Sequence, residues 1–475
     1  MALGWKLYGD GSAPPPGEVV RPGERLSWGR TVGLGMQHVV AMFGATFVFP
    51  VIMGLDPNLA IMMSGVATIL FLLVVQGKVP SYLGTSASFV GAVAAIRGQG
   101  GDSSDVVGAI LVAGAVLALV GAVVHYLGAA VVTRVLPPAV TGAVVMLIGF
   151  NLAPVVGATY WPQDQWVALL TMLFVLLATV LLPGFLGRIA VLLGLVAGFL
   201  LSWLLDATAG PITAPTGAGE VTTHDRVSFA AIGDAPWIGF PDLTGPSFSF
   251  DFSLLVIPAV VALIAENAGH VKAVAEMTRD DLDPYLGRAL FADGAATMLS
   301  SSVGGSPTTT YAENIGVMAA TRVYSTAAYY VAAVTAILFG LCPKFGALVN
   351  AIPGGVLGGI TVVLYGMIGL LGAKIWVENR VDFGNPINLV PLAAGIIIGV
   401  GNVNLQVTDD FSLGGIALGS IVAIAGWHLL RVLAPAPLRD QLAAEAQAPA
   451  TAGGADGVPP QGRRPSARRG GARRR

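Results

Sequence analysis

Apolar residues fall in long blocks along this chain, separated by short polar stretches. Read with a window of about 19 residues, the blocks cover roughly 31–52, 58–76, 82–96, 106–130, 136–157, 165–183, 187–205, 252–272, 285–302, 309–321, 325–346, 351–373, 387–404 and 412–433. These are fourteen candidate membrane spans, of which the third and tenth are short. An even count places both ends of the chain on the same side. The longest polar interval, 206–250, is rich in Thr, Pro, Gly and aromatic residues, which predicts short extended pieces rather than another span.

Two blocks are too polar for ordinary spanning helices. One is Gly77-Lys78-Val79-Pro80-Ser81-Tyr82-Leu83-Gly84-Thr85-Ser86-Ala87-Ser88-Phe89, and the other is Gly304-Gly305-Ser306-Pro307-Thr308-Thr309-Thr310-Tyr311-Ala312-Glu313-Asn314. Each is third in its set of seven spans, begins with Gly and Pro, passes through Ser and Thr, and then turns helical. Paired interrupted segments at matching positions of two halves point to a transporter binding site. Backbone that is not helical at membrane depth must pair with itself or line a cavity. Thr308–Tyr311 has strand-favouring composition, so a strand there is expected to pair with Thr85–Ser88. The half-helices that follow would aim their positive N-terminal ends at the site. Seven spans per half, an odd number, make the two halves inverted repeats. The expected fold is an all-α polytopic membrane protein with short β-strands in segments 3 and 10.

Composition agrees. Hydrophobic residues make up 55% of 475 positions and charged residues 11%, against about 25% charged in soluble domains. Mean hydropathy is +0.76. Such a chain cannot cover its surface with polar groups, so the lipid bilayer is its solvent. The net charge of −2 says little about partners, and no nucleic-acid partner is expected.

The placement of charge sets orientation. Arg21, Arg25 and Arg30 precede the first span, and Lys78, Arg134, Arg188, Lys272 and Arg279 lie in loops on the same side. Asp102, Asp105 and Asp164 lie on the other. An excess of basic residues marks the cytoplasmic side, so both termini are expected there, with 206–250 outside. Residues 1–28 are polar and rich in Pro and Gly, without a signal-peptide pattern, so the first span is expected to direct insertion. The expected organisation is a cytoplasmic segment 1–28, a transporter 29–435, and a disordered basic tail 436–475 that attracts anionic headgroups. Seven arginines crowd that tail's last thirteen residues. The single cysteine, Cys342, excludes an internal disulfide and is expected inside a helix.

Ionisable residues inside spans are costly and point to function. Glu266 and His270 are four apart in span eight and share a helical face. Glu313 opens the half-helix after the second interrupted segment. His38, after Gln37 in span one, reads equally as buried structure or function. Asp293 reads as an interhelical hydrogen bonder and Arg322 as a boundary anchor. His125 and His428 read as interfacial. Tyr365 reads as core packing or a wall of the pocket. No metal-ligand spacing, nucleophile with a placed base, or phosphate-binding loop is present. Neither an enzyme nor a bound cofactor is therefore expected.

The run Glu313-Asn314-Ile315-Gly316-Val317-Met318-Ala319-Ala320-Thr321-Arg322 resembles the signature of the nucleobase–ascorbate transporter (nucleobase:cation symporter-2) family. Ala265-Glu266-Asn267-Ala268-Gly269-His270, Gln37-His38 and Val79-Pro80-Ser81-Tyr82-Leu83-Gly84 are similar to three further motifs of that family, in order. The resemblance covers about residues 25–435 and is greatest to bacterial uracil permeases. Members carrying xanthine or urate typically have Gln at the position of Glu313. The resemblance implies a core domain from spans 1–4 and 8–11 and a gate domain from spans 5–7 and 12–14. It also implies a homodimer in the bacterial inner membrane and proton-coupled uracil uptake. Glu266 and Glu313 would bind uracil by side chain, and Ala87 and Ala312 by backbone. Ser86, Tyr311 and Tyr365 would complete the pocket. His270 would hydrogen-bond towards Glu266 in proton coupling, with Gln37, His38 and Asn314 supporting structure and affinity. This chain has Ala87 where the uracil permease pattern has Phe, and Ala312 where it has Gly. A purine or xanthine permease, or an uncoupled facilitator, is the alternative.

Overall fold

The computed structural model describes residues 4–15, 17–217, 219–407 and 412–447. Each apolar block corresponds to a helix or to a strand leading into a helix. Among the described residues eight helices are long and apolar enough to cross a membrane alone, and a bent pair, Thr326–Gly340 with Pro343–Asn350, would make nine. The sequence ends these helices where chemistry requires. Asp56 accepts from the backbone N–H groups of Asn58 and Leu59, at 2.7 and 3.1 Å, and Pro57 opens the helix Pro57–Val74. A carboxylate cap followed by Pro is a strong helix start, because Pro lacks the N–H that would go unpaired.

Close helix crossings are made by glycine. A methyl group on Gly294 would lie 2.3 Å from the backbone of Ala118, and one on Gly372 would lie 2.3 Å from the carbonyl oxygen of Gly142. With lipid on the outside there is little hydrophobic drive between helices, so tight backbone approach supplies the packing. The helix Ser103–Leu127 thus lies along Leu286–Ser301, and Pro138–Asn151 along Gly354–Glu378.

The two interrupted segments meet in the middle of the protein. Strand Leu83–Thr85 pairs antiparallel with strand Thr308–Thr310, with Leu83 opposite Thr310 and Thr85 opposite Thr308. The first strand therefore ends at Thr85, earlier than the expected Thr85–Ser88. Ser86 accepts from the N–H of Ser88 at 3.3 Å and turns the chain into a short 3-10 turn, Ala87–Phe89. Helix Val90–Gly98 follows it, and helix Ala312–Thr321 follows the second strand.

Three expectations are corrected. Block 325–346 is not one helix; it bends by 80° at Leu341–Cys342, ahead of Pro343. Cys342 is consequently the N-cap of the second piece rather than an interior residue. Residues Ala436–Gln447 form a helix instead of a disordered tail, and Leu438 and Leu442 pack on the cluster around Trp427. The seven arginines of the last thirteen residues lie outside the described residues.

The polar ends are ordered by backbone pairing. Val20 bridges to Val323, and the Arg322 guanidinium donates to the carbonyls of Pro14 and Pro15 at 3.1 and 2.9 Å. Arg322 is thus an anchor for the N-terminal segment. Within 206–250 a hairpin, Ile212–Pro215 with Val221–His224, precedes a short helix, Ala230–Asp234. Arg226 beyond it reaches Asp164 at 2.7 Å and Asp206 at 3.0 Å.

Candidate substrate site

Burial along the interrupted segments marks a candidate site. From Val79 to Val93 every residue is buried except Ala87, which is half-buried. From Gly304 to Tyr311 all are buried, and then Glu313 is exposed. Glu266 is half-buried between the buried Ile264 and Asn267. Helix Phe250–Thr278, which carries Glu266, packs on the strand Thr308–Thr310 and on the starts of both half-helices. Glu266 and Glu313 are near enough for their charges to interact. Ala87, Glu266 and Glu313, on three segments packed together, are thus all at least partly accessible.

The region around these residues opens toward one end. Pro258–Ile264 are buried on one side of Glu266, while Gly269 and Lys272 on the other are exposed. On the half-helix, Ala319 and Ala320 beyond Glu313 are exposed as well. The opening is on the end of the protein bearing Lys272, Arg279 and Arg322. Arg188 crosses it, donating to the carbonyl of Gly316 at 2.6 Å.

The carboxylates are held without cations. Thr309 Oγ1 donates to Glu266 Oε2 at 2.7 Å. Among the described residues no ion pair involves Glu266 or Glu313. Behind the strand, fully buried Asp293 accepts from Asn267 Nδ2 at 2.7 Å and Thr308 Oγ1 at 3.1 Å. It is the interhelical hydrogen bonder expected. Thr308 and Thr309 point to opposite faces of the strand, as alternation requires, so one strand serves both carboxylates. Thr85 and Ser306 hydroxyls lie 2.8 Å apart and join the interrupted segments again.

The side chains of Ser86 and Tyr311 are engaged in building the segment. Ser86 caps its turn, and the Tyr311 hydroxyl donates to the carbonyl of Thr85. Position Tyr311 offers no side-chain cap to helix Ala312–Thr321, which leaves first-turn N–H groups for another acceptor. Asn314 Oδ1 accepts from His38 Nδ1 at 2.8 Å, and the His38 ring lies against Tyr329. Gln37 is half-buried one position earlier. Tyr365 is buried with its hydroxyl unpartnered, packed within the cluster that surrounds the site helices.

His270 departs from expectation. Its Nε2 donates to the carbonyl of Pro80 at 3.1 Å, and no hydrogen bond runs from it to Glu266. Glu266 and His270 lie four residues apart on the helix Phe250–Thr278, and the hydrogen bond of the ring goes to Pro80. Thr309 and Asn267 were missed as partners of carboxylates. Alternation along Thr308–Tyr311 was the signal for Thr309.

The family model Xan_ur_permease, described as a permease family, matches residues 29–408. The chain belongs to this family of nucleobase:cation symporters. It is a membrane transporter and not an enzyme. A protein of Escherichia coli (strain K12) named Putative pyrimidine permease RutG is 46% identical over 415 residues, covering 86% of this chain and 90% of that one. The uracil permease of Bacillus caldolyticus is 35% identical over 428 residues, 87% of this chain and 94% of its own. The uracil permease of Escherichia coli (strain K12) is 34% identical over 421 residues, 86% of this chain and 93% of its own. Among solved structures, the transmembrane domain of the cyanobacterial bicarbonate transporter BicA superposes with a TM-score of 0.55 at 16% identity, covering 84% of this chain and 96% of that one. Murine Solute Carrier 26 family member A9, in its inward-facing state, gives 0.61 at 11% identity, over 85% of this chain and 68% of that one. These two likenesses concern the fold. The family and the relatives, not these likenesses, make this permease a carrier of nucleobases or pyrimidines.

Proposed function

We propose that this permease takes up uracil together with protons across the bacterial cytoplasmic membrane. The observation that carries the reading is the convergence of Ala87, Glu266 and Glu313 on one accessible space at the starts of two half-helices. Uracil has two N–H donors and two carbonyl acceptors. Glu266 and Glu313 accept from the N–H edge, and backbone N–H groups at Ala87 and Ala312 donate to the carbonyls. A site that pairs every edge rejects bases that leave a buried group unpaired. Relatives named uracil permease support the substrate.

Two neighbouring carboxylates without a cation do not both stay ionised in a low-dielectric site. Glu266, held by Thr309, is the proposed proton carrier, and His270 assists by fixing the segment at Pro80. The basic residues at the open end assign it to the cytoplasm. The conformation described is then open inward, with both termini inside.

Helix packing supports fourteen segments in two inverted repeats. Number the segments in chain order and exchange each n with n + 7. The strand pair of segments 3 and 10 maps onto itself. The contact of 4 with 9 maps onto that of 11 with 2, and 1 with 11 onto 8 with 4. The contact of 6 with 7 maps onto that of 13 with 14, and 12 with 6 onto 5 with 13. These contacts also fall into two groups, segments 1–4 with 8–11 and segments 5–7 with 12–14, the proposed core and gate domains of a homodimer.

The test is uptake of labelled uracil into proteoliposomes with and without an inward proton gradient. Unlabelled uracil, thymine, xanthine and guanine serve as competitors. Accumulation driven by the gradient and competition by uracil are expected. Equilibration without accumulation supports an uncoupled facilitator, and stronger competition by xanthine overturns the substrate. Glu266→Gln is expected to abolish accumulation; if it still concentrates uracil, Glu266 is not the proton carrier.

A further inference from the structure

A cavity of about 1220 Å³, with neither carboxylate in its wall, lies at the ends of the helices Pro138–Asn151 and Gly415–Leu433. Its wall carries Arg134, Arg431 and Arg439, from three separate segments. Arg134 ends the short helix Ala130–Val135, Arg431 lies in the last turn of Gly415–Leu433, and Arg439 is on the terminal helix Ala436–Gln447. All three are exposed, and among the described residues none is in an ion pair. Asp440 is the one acidic residue lining the cavity. The arginines therefore exceed their local countercharge by two.

The rest of the wall is mostly apolar or aromatic, with Thr133, Asn379 and Asn388 as its uncharged polar members. Trp427 is buried, donates its indole N–H to Asn388 at 2.9 Å, and carries the Arg431 guanidinium 5.5 Å above its ring. Val432, Leu442 and Ala139 complete an apolar floor. The terminal helix closes one side, held by Leu438 and Leu442 on the cluster below and by Asn385, which donates to the Leu438 carbonyl at 3.0 Å.

We propose that this cavity binds the headgroup of an anionic phospholipid, with an acyl chain along the apolar floor. A phosphodiester matches the arginines, since guanidinium groups bind phosphate oxygens in pairs. The level of the cavity, at helix ends on the side rich in basic residues, is that of the cytoplasmic headgroups. The chain's own remaining tail does not suit it. Residues 448–475 hold seven arginines and one aspartate, Asp456, and like charge would repel them. The occupant fixes the terminal helix against the helices 138–151 and 415–433.

The experiment uses the full-length protein in neutral detergent. Native mass spectrometry counts retained lipid, and thermal unfolding is followed as phosphatidylglycerol, phosphatidylcholine or inorganic phosphate is added. Retention of phosphatidylglycerol and a rise in melting temperature are expected with that lipid alone. Each basic residue near an anionic surface contributes about fivefold in affinity. Arg431→Gln and Arg439→Gln should each weaken retention about fivefold, Asp440→Asn should strengthen it, and Arg380→Gln, outside the cavity wall, should leave it unchanged. Equal retention of phosphatidylcholine overturns the proposal. So does unchanged retention in both arginine variants, or a loss with Asp440→Asn. The same stabilisation by inorganic phosphate would make the cavity a site for free anions instead.

Discussion

Gly84→Ala probes the junction that builds the site. A methyl group there would lie 2.6 Å from Cε2 and 2.9 Å from Cζ of the Tyr311 ring, and 2.8 Å from Thr46 Oγ1. Carbon atoms in contact sit roughly 3.5–4.0 Å apart, so the ring must retreat by about 1 Å. It has little freedom to do so, being buried with its hydroxyl bonded to the Thr85 carbonyl. Overpacking costs about 1–3 kcal/mol and the lost buried hydrogen bond about 1 kcal/mol more. The sum, about 2–4 kcal/mol, falls on the residue immediately before Ala312 and Glu313. Every 1.4 kcal/mol is tenfold in affinity, so uracil binding by the purified protein should weaken at least about tenfold, with a lower melting temperature. Gly366→Ala is the control, because nothing lies within 4 Å of a methyl group there. Tyr311→Leu removes the ring atoms that clash, so the double variant should recover more than about 1 kcal/mol relative to additivity. If Gly84→Ala behaves like Gly366→Ala, or if the two substitutions are additive, the ring does not position the half-helix.

Thr309→Val keeps the shape of the side chain and removes the hydroxyl at 2.7 Å from Glu266. Hydrogen bonds to charged groups are worth about 1.5–3 kcal/mol, so uracil affinity by isothermal titration should fall by more than about tenfold. Arg226→Gln leaves Asp164 and Asp206 without their shared cation. Their side chains are 8% and 12% exposed, so removing the cation should cost a few kcal/mol, at most about 3–5. The melting temperature should drop, with uracil affinity unchanged where the protein is folded. Ala87→Phe restores the aromatic ring of the uracil permease pattern at the one accessible position of its segment. Competition assays should show a smaller pocket that excludes xanthine and guanine more strongly.

The site was legible where it rested on local pattern. Gly and Pro at the start of both interrupted segments, the threonines after Pro307, and carboxylates in apolar surroundings point to the segments that the structure pairs. What failed needed long-range geometry. The partner of His270 is the carbonyl of Pro80, 190 positions away, and helical periodicity ranks only neighbours on the same helix. The strand boundary moved because Ser86 caps a turn, and a serine after a threonine reads equally well as strand. Pro343 did mark the break at Leu341–Cys342, since proline disfavours helix in the residue before it, but apolar residues on both sides merged the block. The helix Ala436–Gln447 was hidden by the Gly- and Arg-rich residues that follow it. Its own Leu, Ala, Gln and Glu are helix formers, and Leu438 and Leu442 are spaced to bury one face.

The two histidines make better sense together than apart. His38 lies in segment 1 and bonds Asn314 in segment 10. His270 lies in segment 8 and bonds Pro80 in segment 3. Under the proposed exchange of n with n + 7 one segment contact maps onto the other, although His38 meets a side chain and His270 a backbone carbonyl. An interrupted segment has fewer hydrogen bonds of its own than a helix and needs such an external hold. The two grips differ in kind, and in the proposed site so does the chemistry. The first interrupted segment offers the site Ala87 and its backbone, while the second repeat supplies both carboxylates and an uncapped helix start. On the proposed reading a scaffold of two related halves thus presents an asymmetric face, as a ligand with an N–H edge and carbonyl acceptors requires. On this reading His270 serves Glu266 through the backbone it holds rather than by passing it a proton.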